Sequence, residues 1–566
     1  VIKKRTQYLY STILIVLLFF VGFIFAKPYL KSILIDELSD RHYEPVLGVY
    51  DRFHQASILN IDNIQHYTIT WKNSTVWFDA NALELQLNKG NPLLLTIETW
   101  SKNSITTHVA DNVIDETSGG KYDDKIEKLG HVLSKYQQII FIRWNPNMEL
   151  PVYQYPWQFQ SPEAYINAFN YFAKQIKRYA PKVKIVWGPS GYPGDTEYWV
   201  GDPNVDFVSL TLDDSYQNYT TDTIVFDGYD TMTQKLHRMR FINKPVLILG
   251  SDKIDKANFR QEWISQAATN IEKYKNTVYS TDNFEISGNK PLRVGKPLLG
   301  IYDPKERLLT DTSIKAEHLF VDLGELQSGK FEIEFKQVLA RHHDVIVTME
   351  PWRDTTGMVD NKVLTNITNG RYDKEIAKLY AIITKTEQTV YLRWLHEMEI
   401  PIHRYLWQSQ KPVEYINAYR YFMLFNKKPA KNIRKVWGPA GDRGSVDWWP
   451  GNDVVDYISF AIYGLPDKNI TDHNKQERFE AIFKRKNYRM RFLNKPIFIT
   501  EFGVKGPEDF QTEWMNEAAQ TINANKQVFG MSYFNLYDNP KAWGKIKAPD
   551  WSITNNTFDS FYKKLR

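Results

Sequence analysis

Tyr391-Leu392-Arg393-Trp394-Leu395-His396-Glu397-Met398-Glu399 places a carboxylate directly after a short apolar run, Thr389–Leu392. Such a run, with no polar alternation, reads as a strand buried on both faces of a parallel sheet. About a hundred residues further on the pattern returns, where Pro496-Ile497-Phe498-Ile499-Thr500 leads into Glu501-Phe502-Gly503. Five further strand candidates surround these two: Pro297–Tyr302, Val345–Met349, Lys435–Trp437, Tyr457–Ile462 and Gly530–Phe534. Between them lie helical patterns. Pro412–Asn426 carries Val413, Ile416, Tyr419 and Met423 at helical spacing, and Asp509–Ile522 opens on an acidic first turn. Strand and helix alternating over some 250 residues predict an α/β fold of the TIM type, an eight-stranded parallel barrel. No glycine-rich phosphate turn follows the first strand, which disfavours a doubly wound open sheet.

The chain also repeats itself. Leu47-Gly48-Val49-Tyr50-Asp51 recurs as Leu299-Gly300-Ile301-Tyr302-Asp303, and Arg143-Trp144 as Arg393-Trp394. Tyr165-Ile166-Asn167-Ala168 recurs as Tyr415-Ile416-Asn417-Ala418, and Val186-Trp187-Gly188-Pro189 as Val436-Trp437-Gly438-Pro439. The offset stays between 250 and 252 residues, so whole domains are repeated rather than solenoid units. The reading is two tandem (β/α)8 barrels, 42–280 and 295–566, joined by a linker at 281–294.

Composition bounds the chemistry. With 566 residues the chain is long enough for two large cores. There is no cysteine, which excludes disulfides and thiolate metal sites. A net charge of +5 with both signs interspersed gives no basic stripe for nucleic acid. Aromatic residues make up 14% of the chain, with 17 Trp and 34 Tyr, and flat rings suit the C–H faces of sugars as well as they suit a core. At the N-terminus Lys3-Lys4-Arg5 precede an apolar run from Tyr10 to Ala26, roughly 25 Å as a helix. Residues 1–31 are therefore expected to form a basic cytoplasmic stub and a transmembrane helix. A single pass through the cell's inner membrane at residues 10–26 would leave the bulk of the chain outside the cytoplasm.

Strand ends of the second repeat gather Glu350 and Trp352, then Arg393, His396 and Glu397, then Tyr463, Glu501 and the loop holding Trp543. This set is acidic, aromatic and rich in hydrogen-bonding groups, and it suits an uncharged, polyhydroxylated substrate. Two glutamates at separate strand ends are the pair that retaining glycoside hydrolysis uses. Arg393–Glu399 with Trp407 downstream resembles the signature of glycoside hydrolase family 26, and Thr500-Glu501-Phe502-Gly503 resembles that family's nucleophile strand. The resemblance covers nearly all of the second repeat. It implies an endo-β-glycanase of the β-mannanase or β-glucanase kind, with Glu397 as acid/base and Glu501 as nucleophile. Glu350, Trp352, Arg393, His396, Trp407, Tyr463 and Trp543 would bind or frame a β-linked polysaccharide, with no metal and no cofactor. Glu399 departs from the family, where an amide commonly follows the Met.

The first repeat lacks this chemistry. Pro146 stands at the position of His396, Asn147 at that of Glu397, Asp213 at that of Tyr463 and Gly250 at that of Glu501. Asparagine exchanges no proton near neutrality and glycine offers no nucleophile. The first repeat is thus expected to be a non-catalytic barrel that holds polysaccharide, braces the second repeat or meets a partner. Two other readings stay open for the whole chain. One is a non-catalytic glycan-binding scaffold beside polysaccharide-synthesis or export machinery. The other is a transglycosylase, in which a sugar instead of water intercepts the covalent intermediate.

Overall fold

The computed structural model describes residues 46–52, 64–72, 80–100, 112–151, 155–212, 228–250, 262–279, 289–351, 360–401, 405–408, 410–427, 430–464, 476–543, 545 and 547–566. The chain divides into two compact units. One takes in the residues up to Tyr192 with Tyr198–Leu236 and Lys244–Ala268; the other takes in Pro193–Glu197, His237–Asn243 and Thr269–Arg566.

In the second unit, β8 (Leu298–Tyr302), β9 (Ala316–Asp322), β10 (Asp344–Glu350), β11 (Val390–Trp394) and β12 (Ile433–Trp437) follow one another around a parallel sheet. Next come β13 (Tyr457–Ile458) and β14 (Ile462–Tyr463), the two ends of one run, then β15 (Ile497–Gly503) and β16 (Val528–Phe534). The ring closes where β16 pairs with β8, Gly530 opposite Leu298. On the other flank Ile458 pairs with Ile497. The result is a parallel barrel of eight staves, as the alternating pattern predicts. β9 escaped the sequence reading, because Ala316-Glu317-His318 breaks the apolar run at its start.

Interior packing explains the strand composition. Ala316, Ile346 and Phe498 form a buried cluster with Leu298, Tyr391 and Tyr457 against it. Phe498 fills so much of the interior that a Cβ on Gly530 would stand 2.7 Å from its ring. That position therefore takes only glycine. The covering helices follow their periodic stripes: Pro412–Met423 buries Tyr415, Ile416, Ala418, Tyr419, Phe422 and Met423.

The first unit contains β1 (Val46–Tyr50), β2 (Gln65–Lys72), β3 (Leu93–Trp100), β4 (Ile140–Trp144), β5 (Lys184–Trp187), β6 (Phe207–Leu212) and β7 (Val246–Gly250). Its sheet runs β1-β7-β6-β5-β4-β3-β2. Here the expectation of a second full barrel needs correction. Seven strands are present among the described residues, and β1 pairs antiparallel with β7, Val49 opposite Leu247. The repeat counterpart of β16 would begin at Val278, which lies instead in a turn whose amide bonds back to Tyr274 at 2.9 Å. Residues 280–288 lie outside the described residues, and β1 lies directly on β7.

The expected single-pass membrane placement is also corrected. Among the described residues no helix is long and apolar enough to cross a membrane. Residues 10–26, on which the expectation rested, lie outside the described residues.

Candidate active site

Glu397 sits on the loop that leaves β11 at Trp394. The backbone there is left-handed at Leu395 (φ 49°) and at Glu397 (φ 54°). For side chains larger than glycine that conformation costs about 1–2 kcal/mol each. Hydrogen bonds offset it. Glu397 N donates to Gly438 O at 2.8 Å. Gln408 Nε2 donates to Glu397 O at 2.9 Å. Trp407 Nε1 donates to His396 O at 2.8 Å. Gly438 is bare for a reason: a Cβ there would meet Arg393 Cδ at 2.7 Å.

Glu501 lies within β15, not at its end. Between Ile499 and Phe502 the strand advances three residues while β16 advances two, from Met531 to Tyr533. This irregularity interrupts the ladder at Thr500–Glu501, and a bulge re-aims a side chain. Glu501 is buried, at 7% exposure. Arg393 Nη2 donates to its Oε1, and the Tyr463 hydroxyl donates to its Oε2 at 2.9 Å. Two donors, one of them cationic, give it the surroundings of an anion. Arg393 is itself fixed, its Nε donating to Thr348 Oγ1 at 2.8 Å. Burial first, then the charge of Glu501 and, more weakly, that of Asp538, hold the Tyr463 phenol well above its ordinary range. It therefore stays a donor to Glu501.

Glu350, at the end of β10, stands 3.7 Å from His396 Nε2. Rings wall this group. Tyr302 lies 5.0 Å from Phe320 and 4.8 Å from Phe534 between centroids, and Tyr463 lies 4.7 Å from Trp551. Burial, then Glu350, pushes the Tyr302 phenol up to about 12. The arrangement can offer a neutral hydroxylated ligand acceptors, donors and flat apolar faces at once.

Not every expected residue joins it. Trp407 is fully buried, with Tyr405 stacked on it at 4.6 Å, so it supports the loop from below. Trp543 is half-buried on the short helix Pro540–Trp543 after β16, and among the described residues no hydrogen bond joins it to the carboxylates. Trp352 and Asp213 lie outside the described residues. Glu399 turns away from the glutamate pair to organise a loop. It accepts from Ala440 N at 3.2 Å, Gly441 N at 2.9 Å, Asp442 N at 3.1 Å and Ser445 Oγ at 2.7 Å. Sequence reasoning missed Tyr302, Phe320, Phe534 and Trp551. For Tyr302 and Phe534 the signal was present, since both end recognised strands.

The first unit keeps the frame around different side chains. Asn145 and Asn147 are left-handed (φ 42° and 58°). Asn147 N donates to Gly188 O at 2.8 Å. Trp157 Nε1 donates to Pro146 O at 2.7 Å, and Gln158 Nε2 to Asn147 O at 3.0 Å. At Gly250 a Cβ would come within 2.7 Å of Leu47 Cδ1. Antiparallel β1 has thus put a leucine in the space that a side chain at position 250 would need.

A parallel barrel with glutamates and aromatic rings at its strand ends is an architecture that polysaccharide-cleaving enzymes use, and the sequence relatives bear names of that class. The chain is 28% identical over 164 residues to the β-1,3-xylanase TXYA of a Vibrio species, an alignment covering 27% of this chain and 31% of that protein. It is 24% identical over 223 residues to endoglucanase H of Acetivibrio thermocellus, covering 38% and 23%. The chain thus spans less than half the length of the curated relatives it matches. No protein-family profile matches it. Among solved structures, a glycoside hydrolase family 26 protein from Muricauda, GH26C, superimposes with a TM-score of 0.37 at 14% identity, over 48% of this chain and 86% of the other. The modular endo-β-1,4-mannanase of Cellulomonas fimi gives 0.34 at 14%, over 47% and 70%.

Proposed function

We propose that the protein is a retaining endo-β-glycan hydrolase of the family 26 kind, with its chemistry confined to the second unit. The observation that carries this reading is the setting of Glu501, a buried carboxylate held by Arg393 and Tyr463 on a strand bulge, with Glu397 presented on the loop that leaves β11. Glu501 attacks the anomeric carbon while Glu397 donates a proton to the departing oxygen. With Glu501 esterified and its charge gone, Glu397 takes a proton from water, which releases the sugar with its configuration retained. His396 and Glu350 contact the hydroxyls of the sugar being cleaved. The substrate is a β-linked polysaccharide of the mannan, glucan or xylan type. The first unit, with Asn147 and Gly250 at the reactive positions, does not catalyse.

The test compares wild type with Glu501→Ala on soluble β-mannan, mixed-linkage β-glucan and β-1,3- and β-1,4-xylans, following the anomer formed by proton NMR. Wild type is expected to release reducing ends first as the β-anomer, and the variant none. If wild type cuts no polymer, or first releases the α-anomer, the reading is refuted.

A further inference from the structure

We propose that His318 is a positioning residue for Glu501, acting through Thr348 and Arg393. The inference rests on the reading of Glu501 as nucleophile. His318 Nε2 lies 2.7 Å from Thr348 Oγ1, and that oxygen accepts from Arg393 Nε at 2.8 Å. Arg393 Nη2 completes the run on Glu501. All four side chains are buried, His318 at 2% exposure and Thr348 at none.

The direction of the bonds follows from chemistry. A guanidinium only donates, so Thr348 accepts from it. Burial, then the charge of Arg393, holds the His318 imidazole well below its ordinary value, so the ring is neutral. The Thr500 backbone carbonyl is the other polar group acting on the ring, and Nδ1 has no hydrogen bond of normal geometry. A bare nitrogen lone pair against that carbonyl would be repelled, so the ring proton sits on Nδ1. Nε2 then accepts, and the Thr348 hydroxyl proton points to it. This fixes the threonine lone pair toward Arg393 and the guanidinium fork toward Glu501. The run begins beside Thr500 and ends on Glu501, the next residue of the same strand.

The first unit shows that the arginine is set from behind and not drawn in by the carboxylate. His66 Nε2 lies 2.8 Å from Thr96 Oγ1, which accepts from Arg143 Nε at 2.9 Å. There the nucleophile position is Gly250. The same three side chains hold the same arrangement with no acid at that position, which is what preorganisation requires.

The test uses the full chain and three mechanism-based labels, the 2,4-dinitrophenyl 2-deoxy-2-fluoro-β-glycosides of cellobiose, mannobiose and xylobiose. They report attack by Glu501 directly. His318→Ala is expected to slow labelling roughly 10- to 100-fold with KM for hydrolysis nearly unchanged. His318→Gln, whose amide oxygen can accept from Thr348, should recover most of the rate. His66→Ala, the matching structural lesion, should leave it unchanged. Nitrogen-15 NMR should find His318 Nε2 unprotonated at pH 7. Labelling at the wild-type rate in folded His318→Ala, or equal losses in His66→Ala and His318→Ala, overturns the proposal. So does a protonated Nε2, which reverses the bond to Thr348 on which the proposed direction rests and leaves the nucleophile standing. Failure of wild type to be labelled, with an Nδ1-protonated ring, refutes the nucleophile and with it the positioning role.

Discussion

Tyr463→Phe removes one oxygen and keeps the ring, so packing on Trp551 and Phe534 survives. What is lost is the 2.9 Å hydrogen bond to Glu501 Oε2. A hydrogen bond to a charged group contributes about 1.5–3 kcal/mol. If the bond also holds the carboxylate in line for attack, the whole of it falls on the first chemical step. At 1.36 kcal/mol per tenfold that is roughly a 10- to 150-fold loss in kcat. Substrate contacts elsewhere are untouched, so KM should stay within a factor of about three. The assay is steady-state hydrolysis of aryl β-glycosides with good and poor leaving groups. The good leaving group makes deglycosylation rate-limiting and should hide part of the loss; the poor one should show it fully. A variant with wild-type kcat on the poor leaving group and an unchanged Tm would refute the role given to Tyr463.

Gly250→Glu forces a side chain onto Leu47 and should destabilise the first unit by about 1–3 kcal/mol in urea titrations, with no activity gained even alongside Asn147→Glu. Glu399→Gln turns an amide N–H₂ toward a set of donors; a loss of about 1–3 kcal/mol and faster hydrogen exchange across 440–445 are expected, with kcat little changed. His318 has a depressed pKa in the folded state, so between that value and about 6.5 the unfolded chain binds more protons. Its contribution to stability is present above about pH 6.5 and lost as pH falls. The Tm of wild type should drop between pH 7 and pH 5 more steeply than that of His318→Gln in matched buffers.

The barrel of the second unit was legible because its strands are buried on both faces and read as apolar runs. Phe320 was not, since β9 opens Ala316-Glu317-His318, with polar side chains that find partners only in the folded barrel. Arg341 and His343 take Glu317, and Thr348 takes His318. Glu397 and Glu501 could be picked out by position in the chain, yet the bulge at Thr500–Glu501 could not, because it arises from a mismatch with β16 that neither strand carries alone. The departure of the first unit from the expected full barrel has the same origin. Leu47-Gly48-Val49-Tyr50 matches Leu299-Gly300-Ile301-Tyr302 closely, yet the first run pairs antiparallel with β7 and the second parallel with β16, so pairing direction is not carried by the run itself. Glu399 was visible as a local departure beside the acid, but not the partners that make it tie down the 440–445 loop.

The left-handed turn after β11 has a consequence for how such a site can be lost. Asparagine tolerates that conformation better than leucine or glutamate does. The first unit holds asparagine at both left-handed positions, 145 and 147, where the second holds Leu395 and Glu397. Presenting an acid on this loop therefore works against the preferred shape of the chain at that residue. A change from Glu to Asn at position 397 therefore runs downhill in conformational energy, so the backbone itself favours the state found at position 147.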